Sequence, residues 1–454
     1  MRITFIYPNL GSIDQRPYLP KGRMEPLAFA VLAGLTPREV ELRFYDDRME
    51  NVPFEEPTDL VGLSVETFAA RRAYQIADAY RARGVTVVMG GFHPTIAPEE
   101  ADEHADAVVI GEAEGLWPGL VEDARAGRLR RRYRHEGRTP LAGHFARRDI
   151  FRGKKYLPIS LLHFSRGCVY SCEFCALSCY YSPRFNQRPV EEVAAEARSL
   201  RGRLIFFTDD NIAGNLGEAV RLFELLKPLG LRWACQISCD FLSDESLVRL
   251  MADAGCRGVL IGFESLSEET LKAMNKPMNA PASYRRAIEN LRSSGILHWS
   301  SFLLGYDSDG PDIFRRTVDF AVSIRSCLAA FNPLTPYPGT ALYKRLRAEG
   351  RLLYGGRWWL SPDYRFGDIP YVPKNFSPED LSDGCMRSRL EFSSAASFWK
   401  RALDFRTNFR SPVNAVFFAA ANRISRRDAI AKSRMRLGLQ TGGAAPLEEY
   451  GRRS

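Results

Sequence analysis

Ser165-Arg166-Gly167-Cys168-Val169-Tyr170-Ser171-Cys172-Glu173-Phe174-Cys175 sets three cysteines at the spacing C-x-x-x-C-x-x-C, directly after an apolar run at 159–164 that reads as a β-strand. Thiolates are soft ligands suited to iron–sulfur clusters and to zinc. A cubane cluster normally takes four cysteines. Three cysteines leave one iron open, and an open iron can bind a substrate. The stretch therefore points to a redox-active cluster that the rest of the chain serves.

The apolar run at 159–164 is the first of six strand candidates, followed by 204–208, 233–238, 258–263, 299–304 and 328–333. Each of the first five is followed by a helical pattern. Val190, Val193, Ala197 and Leu200 form one stripe behind Pro189, which suits a first turn. Leu247, Leu250, Met251 and Ala254 form another, with Ser243 as the expected N-cap and Gly255 as the stop. Tyr284, Ala287, Ile288 and Leu291 form a third, ending at Gly295. Six βα units can curve into a partial parallel barrel, with chemistry expected at the C-terminal strand ends by analogy with complete barrels. Those ends carry Asp209-Asp210-Asn211, then Gln236, Ser238 and Asp240, then Glu264 and Ser265, then Tyr306 and Asp307. Helix capping accounts for some of them. It does not account for so many on the rim that holds the cysteines.

C-x-x-x-C-x-aromatic-C, met by Cys168, Cys172, Phe174 and Cys175 after a strand and before a helix, resembles the signature of the radical S-adenosylmethionine superfamily. The resemblance spans about 157–345. It implies a four-iron cluster on the three cysteines, with the fourth iron chelating the amino and carboxylate groups of S-adenosylmethionine. It further implies that Asp209, Asp210 and Asn211 lie at the methionyl amine. Gln236 and Glu264 would meet the ribose or carboxylate, and Leu303, Leu304 and Gly305 would lie beside the adenine. In such enzymes the reduced cluster breaks a C–S bond of the sulfonium, and the resulting radical abstracts hydrogen from an unactivated carbon. A closed four-cysteine zinc site that includes Cys179 is the main alternative. The usual paired C-x-x-C knuckles are absent, and Cys179 is expected to be a helix packing residue. The scattered Cys235, Cys239, Cys256, Cys327 and Cys385 read mostly as small buried side chains.

The first 126 residues repeat the strand–helix alternation. Apolar runs at 3–7, 40–45, 60–65, 86–89 and 107–110 read as buried parallel strands. Ala73, Ile76, Ala77 and Tyr80 recur at helical spacing, and further helices are expected at 25–35 and 116–126. This predicts a doubly wound, Rossmann-like sheet with its ligand at the C-terminal strand ends. Three polar or glycine-rich turns lie there: Ser64-Val65-Glu66-Thr67, Gly90-Gly91-Phe92-His93-Pro94-Thr95 and Gly111-Glu112-Ala113-Glu114. They resemble the cobalamin-binding domain found at the N-terminus of many radical S-adenosylmethionine enzymes. By that resemblance Ser64, Thr67, Gly90, Gly91, His93, Gly111 and Glu112 are the expected cobalamin-binding residues. The Asp-x-His-x-x-Gly motif of mutase-type domains does not follow the first strand, so no histidine ligand to cobalt is expected. His93 then reads as a pocket or turn residue.

The rest of the chain bounds the function. At 454 residues, two or three domains are expected. The expected division is a cobalamin-binding domain at 1–126, a linker at 127–156, a partial barrel at 157–345 and a mostly helical substrate or capping region at 346–454. No apolar run is long enough to span a bilayer, and the N-terminus reads as a strand with no small-residue cleavage site. Nine cysteines, none before Cys168, give a cytoplasmic metal pattern and not a secreted disulfide framework. The net charge is +9, and from residue 401 onward eleven basic residues stand against four acids, a surplus of seven. Such a run usually forms a solvated face. It also leaves open an anionic substrate, or peripheral membrane contact through the 416–421 apolar run, for which core packing is the stronger expectation. Nucleic acid is not the expected partner. The aromatic stretch 354–371, with Trp358 and Trp359, either covers the barrel mouth or packs as a surface loop. Ser377 is expected to cap a helix, with helices continuing to about Arg436. The combined expectation is a cobalamin-dependent radical S-adenosylmethionine enzyme methylating an unactivated carbon of a natural product, lipid or tetrapyrrole, reduced by a flavodoxin or ferredoxin. The alternative keeps the cofactors for a cyclisation, ring rearrangement or oxidation without methyl transfer.

Overall fold

The computed structural model describes residues 1–439 apart from 21, 136–138, 140, 182–184 and 434. Arg434 and the four charged residues Glu448, Glu449, Arg452 and Arg453 of the basic tail lie outside the described residues. The chain forms two compact units, one of 1–157, 354–366 and 431–454, the other of 158–353 and 367–430.

The first unit is built on six parallel strands: β1 (Arg2–Tyr7), β2 (Glu41–Asp46), β3 (Leu60–Ser64), β4 (Thr86–Gly90), β5 (Ala107–Ile110) and β6 (Arg132–Arg134). Their spatial order is β2-β1-β3-β4-β5-β6. The order reverses between β1 and β3, and in such sheets the crevice at the reversal is where ligands bind. Helix Ala70–Arg81 buries the expected stripe Ala73, Ile76, Ala77 and Tyr80 on one face. On the other, Phe5, Phe29, Phe44 and Trp117 share a core, and the Trp117 indole donates to Thr36 Oγ1 at 2.9 Å. The 127–156 stretch, expected as a linker, instead contributes β6 and a turn that buries Phe151 in this core.

The C-terminal stretch is also divided differently from expectation. Residues 354–366 return to the first unit. There Trp358 packs on Phe68 at 4.9 Å, and Phe366 packs on Phe68 at 5.0 Å. The strand Arg436–Leu437 pairs with Gly11–Ile13 in a small antiparallel sheet.

The second unit carries the six expected barrel strands: β7 (Ile159–Leu162), β8 (Leu204–Phe207), β9 (Arg232–Gln236), β10 (Cys256–Glu264), β11 (Leu297–Leu304) and β12 (Leu328–Pro333). They are all parallel and neighbours in sequence order, a half-open (β/α)6 barrel. One face is packed by the crossover helices. Phe263 stacks on Phe302 at 5.7 Å, Phe302 on Phe331 at 5.8 Å, and Phe320 stands edge-on to Phe263. Leu161, Phe206, Gln236, Leu260 and Leu303 alternate onto the other face and are half-buried. Helix Glu245–Asp253 is capped by Asp244, which accepts from Ser246 N and Leu247 N, and not by Ser243, which ends a short 3-10 turn. Ser377 caps helix Pro378–Phe392 as expected, accepting from Asp380 N at 3.0 Å. Among the described residues no helix is long and apolar enough to cross a membrane.

His298 on β11 is buried with neither ring nitrogen hydrogen-bonded. Burial pushes its pKa down to about 4, and Arg292 pushes the same way against the pull of Asp404. The unfolded chain therefore binds a proton that the folded chain rejects between about pH 6.5 and pH 4. Stability is expected to fall as pH drops through that window. His298→Leu, which removes the orphaned nitrogens, is expected to flatten that part of a urea-unfolding pH profile without loss at pH 7. An unchanged acid limb in the variant contradicts the assignment.

Candidate functional site

The cysteine loop leaves the end of β7, and the polar residues of the neighbouring strand ends hold its backbone. Asp209, after β8, is fully buried and accepts from Phe164 N at 3.1 Å and from both the amide and hydroxyl of Ser165. Asp210 accepts from Gly167 N at 2.9 Å. Burial raises both carboxyls to about 6, against the lowering effect of these hydrogen bonds. Asp209, expected at the methionyl amine, is thus sealed beneath the loop. Asn211 accepts from Ser238 N at 3.2 Å, and its amide nitrogen is buried without a partner. Gln236 donates to Asp209 O at 3.3 Å.

The far side of the loop is clamped by Met274, Asn275 and Arg345, which no motif marked, together with the strand-end residues Asp240, Tyr306 and Asp307. Asn275 donates to Ser171 O at 2.8 Å, and Glu173 N donates to Met274 O at 2.9 Å. Arg345 grips Glu173 at 2.7 Å and Asp307 at 2.9 Å, and Tyr306 donates its hydroxyl to the same Glu173. Tyr170 donates to Asp240 at 2.7 Å. A loop tied at Ser165, Gly167, Tyr170, Ser171 and Glu173 has little freedom, and those ties fix the backbone that carries the cysteines.

Cys172 is buried, and Cys168 and Cys175 are partly so. Burial raises all three thiols, Cys172 to about 12, and each of Cys168 and Cys172 is pushed further by the charge of its cysteine neighbours. Mutual repulsion of this kind marks thiols that converge. Lys276 opposes it at all three. Its ammonium pairs with Glu264 at 2.7 Å. Burial works against that charge, but Glu264 and the thiols outweigh it and hold the lysine charged. Glu264 itself ends β10 in the left-handed region, at φ 62°, beside a register shift. A bulky residue forced there stores strain, which often marks a functional position.

The donor set fits an iron–sulfur cluster. Backbone amides of Tyr170, Leu177 and Ser178 point at the Cys168 and Cys175 sulfurs. Among the described residues no three His, Cys, Asp or Glu are gathered tightly enough for a single metal ion. Cys179, expected to pack, is exposed on helix Ala176–Tyr180, whereas the other five cysteines are buried as expected.

In the first unit, the turns after β3, β4 and β5 lie on one edge of the sheet. His93 is fully buried, with Nε2 at 2.9 Å from Glu100 and Nδ1 at 3.3 Å from Thr67 Oγ1. Glu100 also accepts from Tyr74 and from the Trp359 indole, each at 2.9 Å. Burial alone would raise its carboxyl, but the bonds from His93, Trp359 and Tyr74 hold it low. Gly91, at φ 96°, passes so close to β3 that a Cβ would lie 2.9 Å from Val65 N and 3.0 Å from Ser64 Oγ. Gly111, at φ 87°, has nothing within 4 Å of the corresponding position. Bare backbone there lets a large planar ligand approach closely, and the edge fits cobalamin. Tyr7 donates to Glu66 at 3.1 Å across the β1–β3 reversal. Glu112 lies in the turn after β5.

Residues 162–321 match the Radical SAM superfamily and residues 20–121 match the B12 binding domain. The chain is 32% identical over 347 residues to bacteriochlorophyllide d C-8(2)-methyltransferase of Chlorobaculum tepidum, covering 71% of this chain and 76% of that one. This chain belongs to the B12-binding radical SAM enzymes. Bacteriochlorophyllide d C-12(1)-methyltransferase of the same organism is 29% identical over 417 residues, covering 88% and 89% of the two chains. Among solved structures, the radical S-adenosylmethionine methyltransferase TsrM from Kitasatospora setae, with cobalamin and a 4Fe-4S cluster bound, has a TM-score of 0.63 at 18% identity over 94% of this chain and 99% of that one. The cobalamin-dependent enzyme OxsB has a TM-score of 0.66 at 14% identity over 94% and 72%. The radical SAM enzyme described here therefore carries the domains for three cofactors, a 4Fe-4S cluster, S-adenosylmethionine and cobalamin, in one chain.

Proposed function

We propose that this enzyme transfers a methyl group to an unactivated carbon of a tetrapyrrole, within a wider range that includes lipids and other natural products. The observation that carries the proposal is the relative spanning 88% of this chain, named for methylation of bacteriochlorophyllide d, so the likeness is not confined to the cofactor domains. When bound, the cluster reductively cleaves S-adenosylmethionine and cobalamin carries the methyl group. Cys168, Cys172 and Cys175 would hold the cluster. Asp209 and Asp210 would position it through the loop backbone, and Glu264 and Lys276 offer opposite charges to the ends of an amino acid. Asn211 and Gln236 supply polar side chains at the same strand ends. Ser64, Thr67, Gly90, Gly91, Gly111 and Glu112 would line the cobalamin, with His93 fixing the turn. Flavodoxin or ferredoxin would supply the electron, and an oxygen-sensitive cluster with free thiols suits the cytoplasm.

The expected outcome of anaerobic turnover with a bacteriochlorophyllide is S-adenosylhomocysteine from the methyl donor, 5′-deoxyadenosine carrying the displaced hydrogen, and a product heavier by one methylene. A second proposal has support from two relatives named as anaerobic magnesium-protoporphyrin IX monomethyl ester cyclases, at 26% and 23% identity. That chemistry would give 5′-deoxyadenosine and no methylated product, and such a result would replace methyl transfer by ring formation or oxidation.

A further inference from the structure

Residues 395–430 of the second unit expose large apolar side chains. Trp399, Leu403, Phe405, Val413 and Val416 are 60% to 70% exposed, and Phe417 is 47% exposed. They are not scattered. Trp399 lies on helix Ala395–Ala402, with Leu403 one turn on and Phe405 just beyond. Along helix Pro412–Lys432, Val413, Val416, Phe417, Ala420 and Ile424 recur at helical spacing on one face. The opposite face, Phe418 and Asn422, is buried. Phe418 packs on Phe398 at 4.9 Å and on Phe409 at 5.9 Å, which brings both helices and their connecting loop together. The 416–421 run, expected in the core, thus contributes only Phe418 to it. Monomeric proteins seldom expose so much contiguous apolar surface without a use for it.

Cations frame this surface. Between 395 and 430 there are seven basic residues, of which Arg401 is buried, and two acids, Asp404 and Asp428, of which Asp404 is buried against Arg292. Lys400, Arg410, Arg423 and Arg427 have no ion-pair partner among the described residues. Arg410, with no such partner, lines a pocket of about 410 Å³ with Phe405, Arg292 and Arg406, the last two also paired with Glu289. Guanidinium groups beside an apolar side chain match a phosphate joined to acyl chains. Ala402 and Phe418 pack on Leu297, Cys327 and Leu328, at the strand ends away from the cysteines. A partner at this surface therefore leaves the cysteine end of the sheet uncovered.

We propose that this face docks the enzyme on an anionic lipid surface, with the apolar stripe at the acyl boundary and the arginines on headgroup phosphates. The test is sedimentation of the full-length protein with vesicles of phosphatidylcholine, alone or mixed with phosphatidylglycerol. Binding to the mixed vesicles is expected to be at least about tenfold tighter than to phosphatidylcholine alone, and to weaken in high salt. The triple variant Phe405→Ser, Val416→Ser, Phe417→Ser and the charge variant Arg406→Glu, Arg410→Glu should each lose about tenfold in binding, with unchanged circular dichroism and iron content. Equal binding by these folded variants, or no binding by the parent, overturns the proposal. So does a dimer that is lost in the triple variant while vesicles remain unbound, since that assigns the face to a second copy of the chain.

Discussion

Replacing Cys168, Cys172 or Cys175 singly by alanine is expected to drop iron from about four per chain to a small fraction of that, and to end reductive cleavage of S-adenosylmethionine. Their loop is held by Asp209, Asp210, Glu173 and Asn275 through contacts that involve none of the three cysteine side chains. The variants should therefore keep the circular dichroism of the parent. Cys179→Ala is the contrast. Its thiol is exposed on the helix beyond the loop, and its loss should leave iron, sulfide and activity intact. Iron loss in Cys179→Ala would make the site a four-cysteine one. Iron retention in any of the other three would remove that cysteine from the ligand set.

Much of this was legible in the sequence because buried parallel strands are continuous apolar runs. The residues at 328–333 and 107–110 form strands with those same bounds. Arg132–Arg134 was not legible, since a three-residue edge strand with one apolar side chain, Tyr133, carries no pattern. The cysteine triad was legible because its ligands are adjacent in sequence. Lys276 and Arg345 were not, because their partners Glu264 and Glu173 lie 12 and 172 residues away and no spacing links them. The 416–421 run misled because an apolar helix face looks the same in sequence whether it is buried or exposed. The tryptophans at 358 and 359 fitted a cover for the barrel mouth and a packed surface loop equally, and no pattern in the sequence assigned residues 354–366 to the first unit.

Lys276→Met is expected to have the second-largest effect. The pair with Glu264 is nearly buried, at 12% and 10% side-chain exposure. Removing one partner of such a pair leaves an uncompensated charge and costs about 3 kcal/mol. The same lysine lowers all three cysteine thiols toward their ionised form. The variant should therefore lose stability in urea titration of the cluster-free protein, and should also reconstitute less iron. Adding Glu264→Gln should recover a large part of the stability and little of the iron. If Lys276→Met matches the parent in both measurements, the pair supports neither the fold nor the cluster and has no part in the site.

The most direct test of the central claim is anaerobic iron and sulfide analysis of the reconstituted protein, with electron paramagnetic resonance of the reduced sample before and after S-adenosylmethionine. About four irons and four sulfides per chain are expected, with a spectrum that shifts when S-adenosylmethionine occupies the iron that no cysteine holds. Zinc without labile sulfide, or a cluster whose spectrum ignores S-adenosylmethionine, would contradict it.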